Sequence, residues 1–187
     1  MKSTIKIPDD ISAYLLEADE HWDLNQNEEE FASYVSADYD EVFRSLVELK
    51  DRAFTFLELG SGLGAVTIMA SRLGYEAYGI EASAGLVDYA RDSAATLAPD
   101  AKFGVGSFIP DQFEWDPGSG DEAIRTFIDL PDAYGEIDMT LADFDLIYAY
   151  PWPTEHPLYH NFLGQFARKG SLFLAYDARE GMLLRSI

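Results

Sequence analysis

Glu58 precedes three glycines at alternate positions, Gly60, Gly62 and Gly64, and a second acid, Glu81, stands 21 positions after the first glycine. Without a Cβ the backbone can turn at positive φ and let a ligand come close to the main chain. A carboxylate at the end of a strand can accept hydrogen bonds from both ribose hydroxyls of an adenosine. The spacing G-x-G-x-G differs from the dinucleotide fingerprint G-x-G-x-x-G, in which a helix N-terminus faces a pyrophosphate. A glycine loop beside an acid instead suits a cationic ligand without phosphate. Further along, Tyr150-Pro151-Trp152-Pro153 holds two aromatic rings on a backbone stiffened by proline, a surface for cation–π contact. His156 and His160 are four apart and share a helix face. They have no H-E-x-x-H pattern and no third ligand, so no metal site is expected.

These residues need elements to position them. The apolar run Phe54–Leu59 reads as a buried parallel strand and Ala65–Ala70 as an apolar helix, with the glycines as the turn between. Tyr75–Glu81 follows as a second strand. Ser83 is the N-cap of a helix to about Leu97, with Leu86, Val87, Ala90, Ala94 and Leu97 on one face. Ala101–Val105 is a third strand, and the alternation predicts a parallel sheet with right-handed crossovers. The pattern breaks over about residues 110–140, read as a crossover enlarged by an acidic insertion. There Asp116–Asp121 is turn chemistry, and Ile124, Phe127, Ile128 and Leu130 suit a short surface helix. Phe144–Tyr150 gives a fourth strand, His156–Ala167 a helix, and Ser171–Tyr176 a fifth strand. Asp177–Ile187 leaves room for one short strand at most.

Before residue 53 three helices are expected: a short one on Ile11, Leu15 and Leu16 with Pro8 near its start, one on Phe31, Tyr34 and Val35, and one on Val42, Phe43, Leu46, Val47 and Leu49. The expected organisation is a single α/β domain over residues 1–187. Residues 1–52 form a helical cap, and residues 53–187 a doubly wound, mainly parallel, Rossmann-like core.

The pattern E-x-G-x-G-x-G over Glu58–Gly64 resembles motif I of the class I S-adenosylmethionine-dependent methyltransferases, and the resemblance spans about residues 30–177. It implies a methyltransferase with S-adenosylmethionine as cofactor, held by Glu58, Gly60, Ser61, Gly62, Gly64 and Glu81. The sixth and seventh strands usual in that family are then curtailed or absent here. After the third strand the family often carries an acid that binds the adenine amino group. Ser107 stands at that place, its hydroxyl able to accept the bond, and Phe108 can pack on the adenine. N-terminal helices of the family commonly fold over the cofactor, which makes Tyr34 a candidate contact. The tetrapeptide Tyr150–Pro153 resembles in part the Asn/Asp-Pro-Pro-aromatic motif of amino-group methyltransferases. Tyr150 replaces its polar residue, and the aromatic and second proline are exchanged. Tyr150 and Trp152 are therefore candidates for the acceptor side. Two other readings share the motif: an S-adenosylmethionine-binding protein without catalysis, and an NAD-dependent oxidoreductase.

The chain has 187 residues, no cysteine and a formal net charge of −21. That field disfavours nucleic acid, whose binding rests on Lys and Arg at phosphates, and disfavours an anionic membrane surface. A small-molecule or protein acceptor, basic or neutral, fits better, while the oligomeric state is left open. No apolar run approaches the roughly 20 residues of a membrane span. The first ten residues lack the apolar centre of a secretory signal, which together with the missing cysteines is compatible with a cytoplasmic enzyme.

Overall fold

The computed structural model describes residues 5–27, 35–115, 125–127, 129–177 and 179–187. Its centre is a six-stranded sheet in the order β3-β2-β1-β4-β5-β6. The strands are β1 (Thr55–Leu59), β2 (Glu76–Glu81), β3 (Lys102–Val105), β4 (Leu146–Ala149), β5 (Leu172–Asp177) and β6 (Gly181–Ser186). The first five run parallel, and β6 returns antiparallel along β5. One strand follows β5: β6 has six residues, as many as β5 itself, which corrects the expectation of a short, curtailed or absent sixth strand.

Alternate side chains of each strand enter different layers, as the two-residue period requires. Phe56, Leu146, Tyr148 and Leu174 face α1 (Asp9–Asn25), α2 (Tyr39–Leu49), α3 (Ala65–Arg72) and α4 (Ala84–Leu97). Leu57, Ile147, Ala149 and Phe173 face α5 (Tyr134–Ile137), a 3-10 turn at Leu141–Asp143, and α6 (His156–Phe166). Because both faces are covered, all four residues of β4 are buried.

Local signals explain the helix starts. Ser83 caps α4, its hydroxyl accepting from Leu86 N at 3.3 Å. Asp38 does the same for α2, accepting from Glu41 N at 3.1 Å, and Val42, Phe43, Leu46 and Leu49 form the buried stripe. In α1, Asp9 and Asp10 sit in the first turn, where the helix dipole favours negative charge. The helix is 17 residues long rather than short, and it buries Ile11, Tyr14, Leu15 and Ala18. Leu16 falls off that stripe and is 67% exposed, which corrects its placement with Ile11 and Leu15.

The other departures lie around the insertion and the segment before α2. Phe127 and Leu130 are not helical. Pro131 disfavours helical backbone at the residue before it, and a carboxylate from another element captures the amide of Thr126. Ile124, Ile128 and the turn read over Asp116–Asp121 lie outside the described residues, as do Phe31 and Tyr34. Val35 is described, exposed and not helical. The chain after the insertion is tied back to the end of β3, where Ser107 N donates to Pro131 O at 2.9 Å and Ala133 N to Ser107 O at 3.0 Å.

Candidate active site

A cavity of about 750 Å³ opens at the carboxyl ends of β1, β2, β4 and β5. That is where ligands bind in open α/β sheets. Its floor is the glycine loop. Gly60 N and Ser61 N both donate to Ile80 O at 2.9 Å, and Gly60, Gly62 and Gly64 have φ of 77°, 50° and 84°. Glu81, the last residue of β2, braces this loop. Its Oε2 accepts from Gly62 N and its Oε1 from Ser83 N, both at 3.0 Å. A carboxylate has about four lone-pair sites, so each oxygen keeps one for a ligand hydroxyl.

Glu58 behaves differently. It is 5% exposed, and its Oε2 accepts from Thr67 N at 2.8 Å and from Thr67 Oγ1 at 2.6 Å. Among the described residues no cation pairs with it. Burial pushes its carboxyl up to about 8, the Thr67 bonds opposing this and Glu81 adding to it. The folded state then holds a proton there that the unfolded chain releases. This group makes stability fall as pH rises from about 4.5 to about 8.

Gly60, Ser61 and Gly62 line the cavity together with Glu58 and Glu81. Ser107, Phe108, Tyr150 and Trp152 line its other walls. Gly64 does not; it is the N-cap of α3 and packs behind the loop. Tyr34 lies outside the described residues. The hydroxyl of Ser107 donates to Phe127 O at 2.6 Å and accepts from Ile109 N at 3.0 Å, so its one hydrogen anchors the chain after the insertion. Phe108 packs 5.6 Å from the ring of Tyr159. Tyr150 meets Tyr176 edge-on at 4.9 Å, and the Arg125 guanidinium lies 4.1 Å from the centre of the Trp152 ring.

Several functional candidates escaped the sequence reading. Glu155, almost fully buried at the start of α6, accepts from Arg125 N, Thr126 N and Thr126 Oγ1. It fixes the wall that carries Arg125 and Phe127. Glu155→Gln should orphan one of those donors and cost about 1–3 kcal/mol. Amide exchange at Arg125 and Thr126 should speed up; unchanged protection there would show that the segment is held by something else.

His156 Nε2 lies 3.6 Å from Asp177 Oδ2, both on the cavity wall. Asp177 is oriented by Arg179 N and Glu180 N, at 2.7 and 3.0 Å from its Oδ1. Those two N–H donors hold its carboxyl below the usual range. His160 pairs with Arg185 instead, and burial, Arg185 and His156 lower its pKa. The two histidines thus share a helix but take separate partners. The signals for Asp177 and Glu155 were faint: an acid at the end of the fifth strand, and one just before a helix.

Among the described residues no helix is long and apolar enough to cross a membrane. No protein-family model matches the chain, and no curated protein sequence matches it. Solved structures do. An O-methyltransferase from Bacillus cereus in complex with S-adenosylhomocysteine aligns with TM-score 0.56 and 17% identity, over 91% of this chain and 67% of its own. A methyltransferase from Geobacter sulfurreducens aligns with TM-score 0.59 and 14% identity, over 93% of this chain and 76% of its own. An RNA methyltransferase from Salinibacter ruber, in complex with S-adenosyl-L-homocysteine, aligns with TM-score 0.50 and 21% identity, over 77% of this chain and 78% of its own. At these identities the likeness carries the architecture alone. The sheet order, the two helical layers and these neighbours agree: the chain has the Rossmann-like fold of the class I S-adenosylmethionine-dependent methyltransferases.

Proposed function

We propose that this protein is an S-adenosylmethionine-dependent methyltransferase acting on a small-molecule or protein acceptor, in a cytoplasmic setting. The observation that carries the reading is Glu81, held between Gly62 N and Ser83 N at the end of β2 with lone pairs free toward the cavity. The cavity volume of about 750 Å³ lies in the range of small-ligand sites, roughly 300–1,000 Å³. Among the described residues the buried hydroxyls of Ser61 and Tyr148 face it without partners, as expected where a polar ligand completes the bonding.

In this reading Glu81 holds the ribose, Phe108 and the Ser107 wall take the adenine, and Glu58 with the Gly60–Gly62 loop takes the amino-acid end. When bound, the cofactor supplies a methyl carbon already activated on a sulfonium. What remains for the protein is to align the acceptor, exclude water and receive a proton. Tyr150 and Trp152 form the acceptor wall. His156, oriented by Asp177, is the group there able to take a proton from an acceptor hydroxyl or amine. The net charge of −21 favours basic or neutral acceptors.

A second reading, cofactor binding without catalysis, is favoured by one observation: Arg125 already covers a face of the Trp152 ring. Calorimetry separates the alternatives. S-adenosylhomocysteine should bind saturably and NAD should give no heat; NAD binding alone would overturn the assignment. Transfer of labelled methyl into a small-molecule or peptide pool then distinguishes an enzyme from a binder.

A further inference from the structure

The acids, arginines and histidine that line the cavity divide into two groups. Glu58 is bonded by Thr67, Glu81 by two backbone amides, and Asp177 by two more while it faces His156. Left over are Arg125, Arg179 and Glu180. Among the described residues their charged groups make no ion pair and no hydrogen bond; only their backbone N–H groups are engaged. The chain has 34 acids against 13 lysines and arginines, so a carboxylate partner is easily found. Arg72, Arg91 and Arg168 each have one. Two arginines left without one on a single cavity wall, beside one free acid, therefore ask for a ligand that carries both signs of charge.

All three side chains project from backbone that is held in place. Glu155 accepts from Arg125 N, and the Arg125 guanidinium lies 4.1 Å from the centre of the Trp152 ring. Contact with a ring face uses none of the guanidinium N–H donors, and its planar fork matches a carboxylate. Arg179 and Glu180 sit on the turn between β5 and β6, where Asp177 Oδ1 accepts from both of their amides. Being adjacent on one turn, they set a cation and an anion close together. Trp152 follows β4, and β5 is the next strand over. Asp177, Arg179 and Glu180 thus stand two strands away from the glycine loop that follows β1, about 10 Å at roughly 4.8 Å per strand. Between the arginines lie the Tyr150 and Trp152 rings, a surface for an apolar or aromatic body.

We infer that the acceptor is a zwitterionic small molecule of the α-amino-acid type: Arg125 and Arg179 hold its carboxylate, Glu180 pairs with its ammonium, and its body lies on the Tyr150 and Trp152 rings with the methyl-accepting atom toward His156. The inference rests on the cavity being the S-adenosylmethionine site. A zwitterion is neutral overall, so the chain's net charge of −21 does not repel it, and the local charges orient it. An acceptor with cationic groups alone would leave both guanidinium groups unmatched. One with several anionic groups would meet the field of the whole chain and the unpaired Glu180.

Calorimetry on protein saturated with S-adenosylhomocysteine tests this with three probes. L-Tyrosine carries both charges and an aromatic body, tyramine lacks the carboxylate, and 3-(4-hydroxyphenyl)propanoate lacks the ammonium. L-Tyrosine should bind about tenfold or more tighter than either of the others. Arg125→Ala and Arg179→Ala should each weaken L-tyrosine about three- to tenfold and leave tyramine unchanged. Glu180→Gln should weaken L-tyrosine and leave the propanoate unchanged. All three side chains are exposed, so the variants should fold, and a thermal melt checks this. If a variant fails to fold, the wild-type comparison of the three probes decides. Equal binding of L-tyrosine and tyramine, or no binding of any probe to the saturated protein, overturns the zwitterion site alone. An arginine variant that weakens S-adenosylhomocysteine as much as it weakens L-tyrosine assigns that guanidinium to the cofactor and also overturns it. Failure of S-adenosylhomocysteine to bind wild type overturns the cofactor reading and the inference with it.

Discussion

Glu81→Gln should weaken S-adenosylhomocysteine binding about 10- to 100-fold while shifting the melting temperature by no more than about 6 °C. The two effects separate because Glu81 works in two directions. Toward the protein, each carboxylate oxygen accepts one backbone amide, Gly62 N or Ser83 N. The glutamine oxygen can keep one of those bonds, so the stability loss is that of a single hydrogen bond, about 0.5–1.5 kcal/mol. At about 2–4 °C per kcal/mol for a domain of this size, the melt moves little. Toward the ligand, in the proposed reading, the ribose hydroxyls lose a charged acceptor, worth about 1.5–3 kcal/mol, and each 1.4 kcal/mol is about tenfold in affinity. Titration calorimetry and a thermal melt on the same samples measure both quantities. Unchanged affinity would remove Glu81 from the ribose and with it the observation on which the functional reading stands.

The position of Glu81 was legible in the sequence because its neighbours are local in pattern: a strand that ends at an acid, then a Ser N-cap, at a fixed distance from a glycine turn. The same holds for Glu58 and for the five parallel strands, whose apolar runs reflect burial on both faces. What could not be read joins distant positions. Glu155 meets Thr126 across 29 residues of chain, and His156 meets Asp177 only because β5 ends beside the start of α6. Nothing in the local sequence distinguishes these from the other acids of a very acidic chain. Ser107 was read as a ligand contact, yet its hydroxyl also ties Phe127 O and Ile109 N, an anchoring role visible only when the insertion folds back. Phe127 and Leu130 have helical spacing, but the proline after Leu130 and the capture of Thr126 N by Glu155 override it.

The three glycines of the loop look equivalent in sequence, and a single substitution should show that they are not. Gly64→Ala is expected to lower the melting temperature by roughly 5–15 °C while leaving S-adenosylhomocysteine affinity, measured where the variant is folded, within about threefold of wild type. Gly64 has φ of 84°, and a Cβ there would sit 2.7 Å from Ala90 Cβ and 3.0 Å from the Phe103 ring. The left-handed backbone costs an alanine about 1–2 kcal/mol. Overpacking adds about 1–3 kcal/mol, because the Ala90 Cβ is fixed to the backbone of α4 and cannot swing away. Gly60 and Gly62 line the cavity, whereas Gly64 does not, so its cost falls on the fold. Ala90→Gly tests the packing part directly. Alone it should cost about 1 kcal/mol as a helical glycine. Combined with Gly64→Ala it should recover part of the loss, giving a double-mutant coupling of about 0.5–2 kcal/mol. Zero coupling would mean that backbone strain alone fixes the glycine, and that the approach of α4 to the loop imposes no constraint on that position.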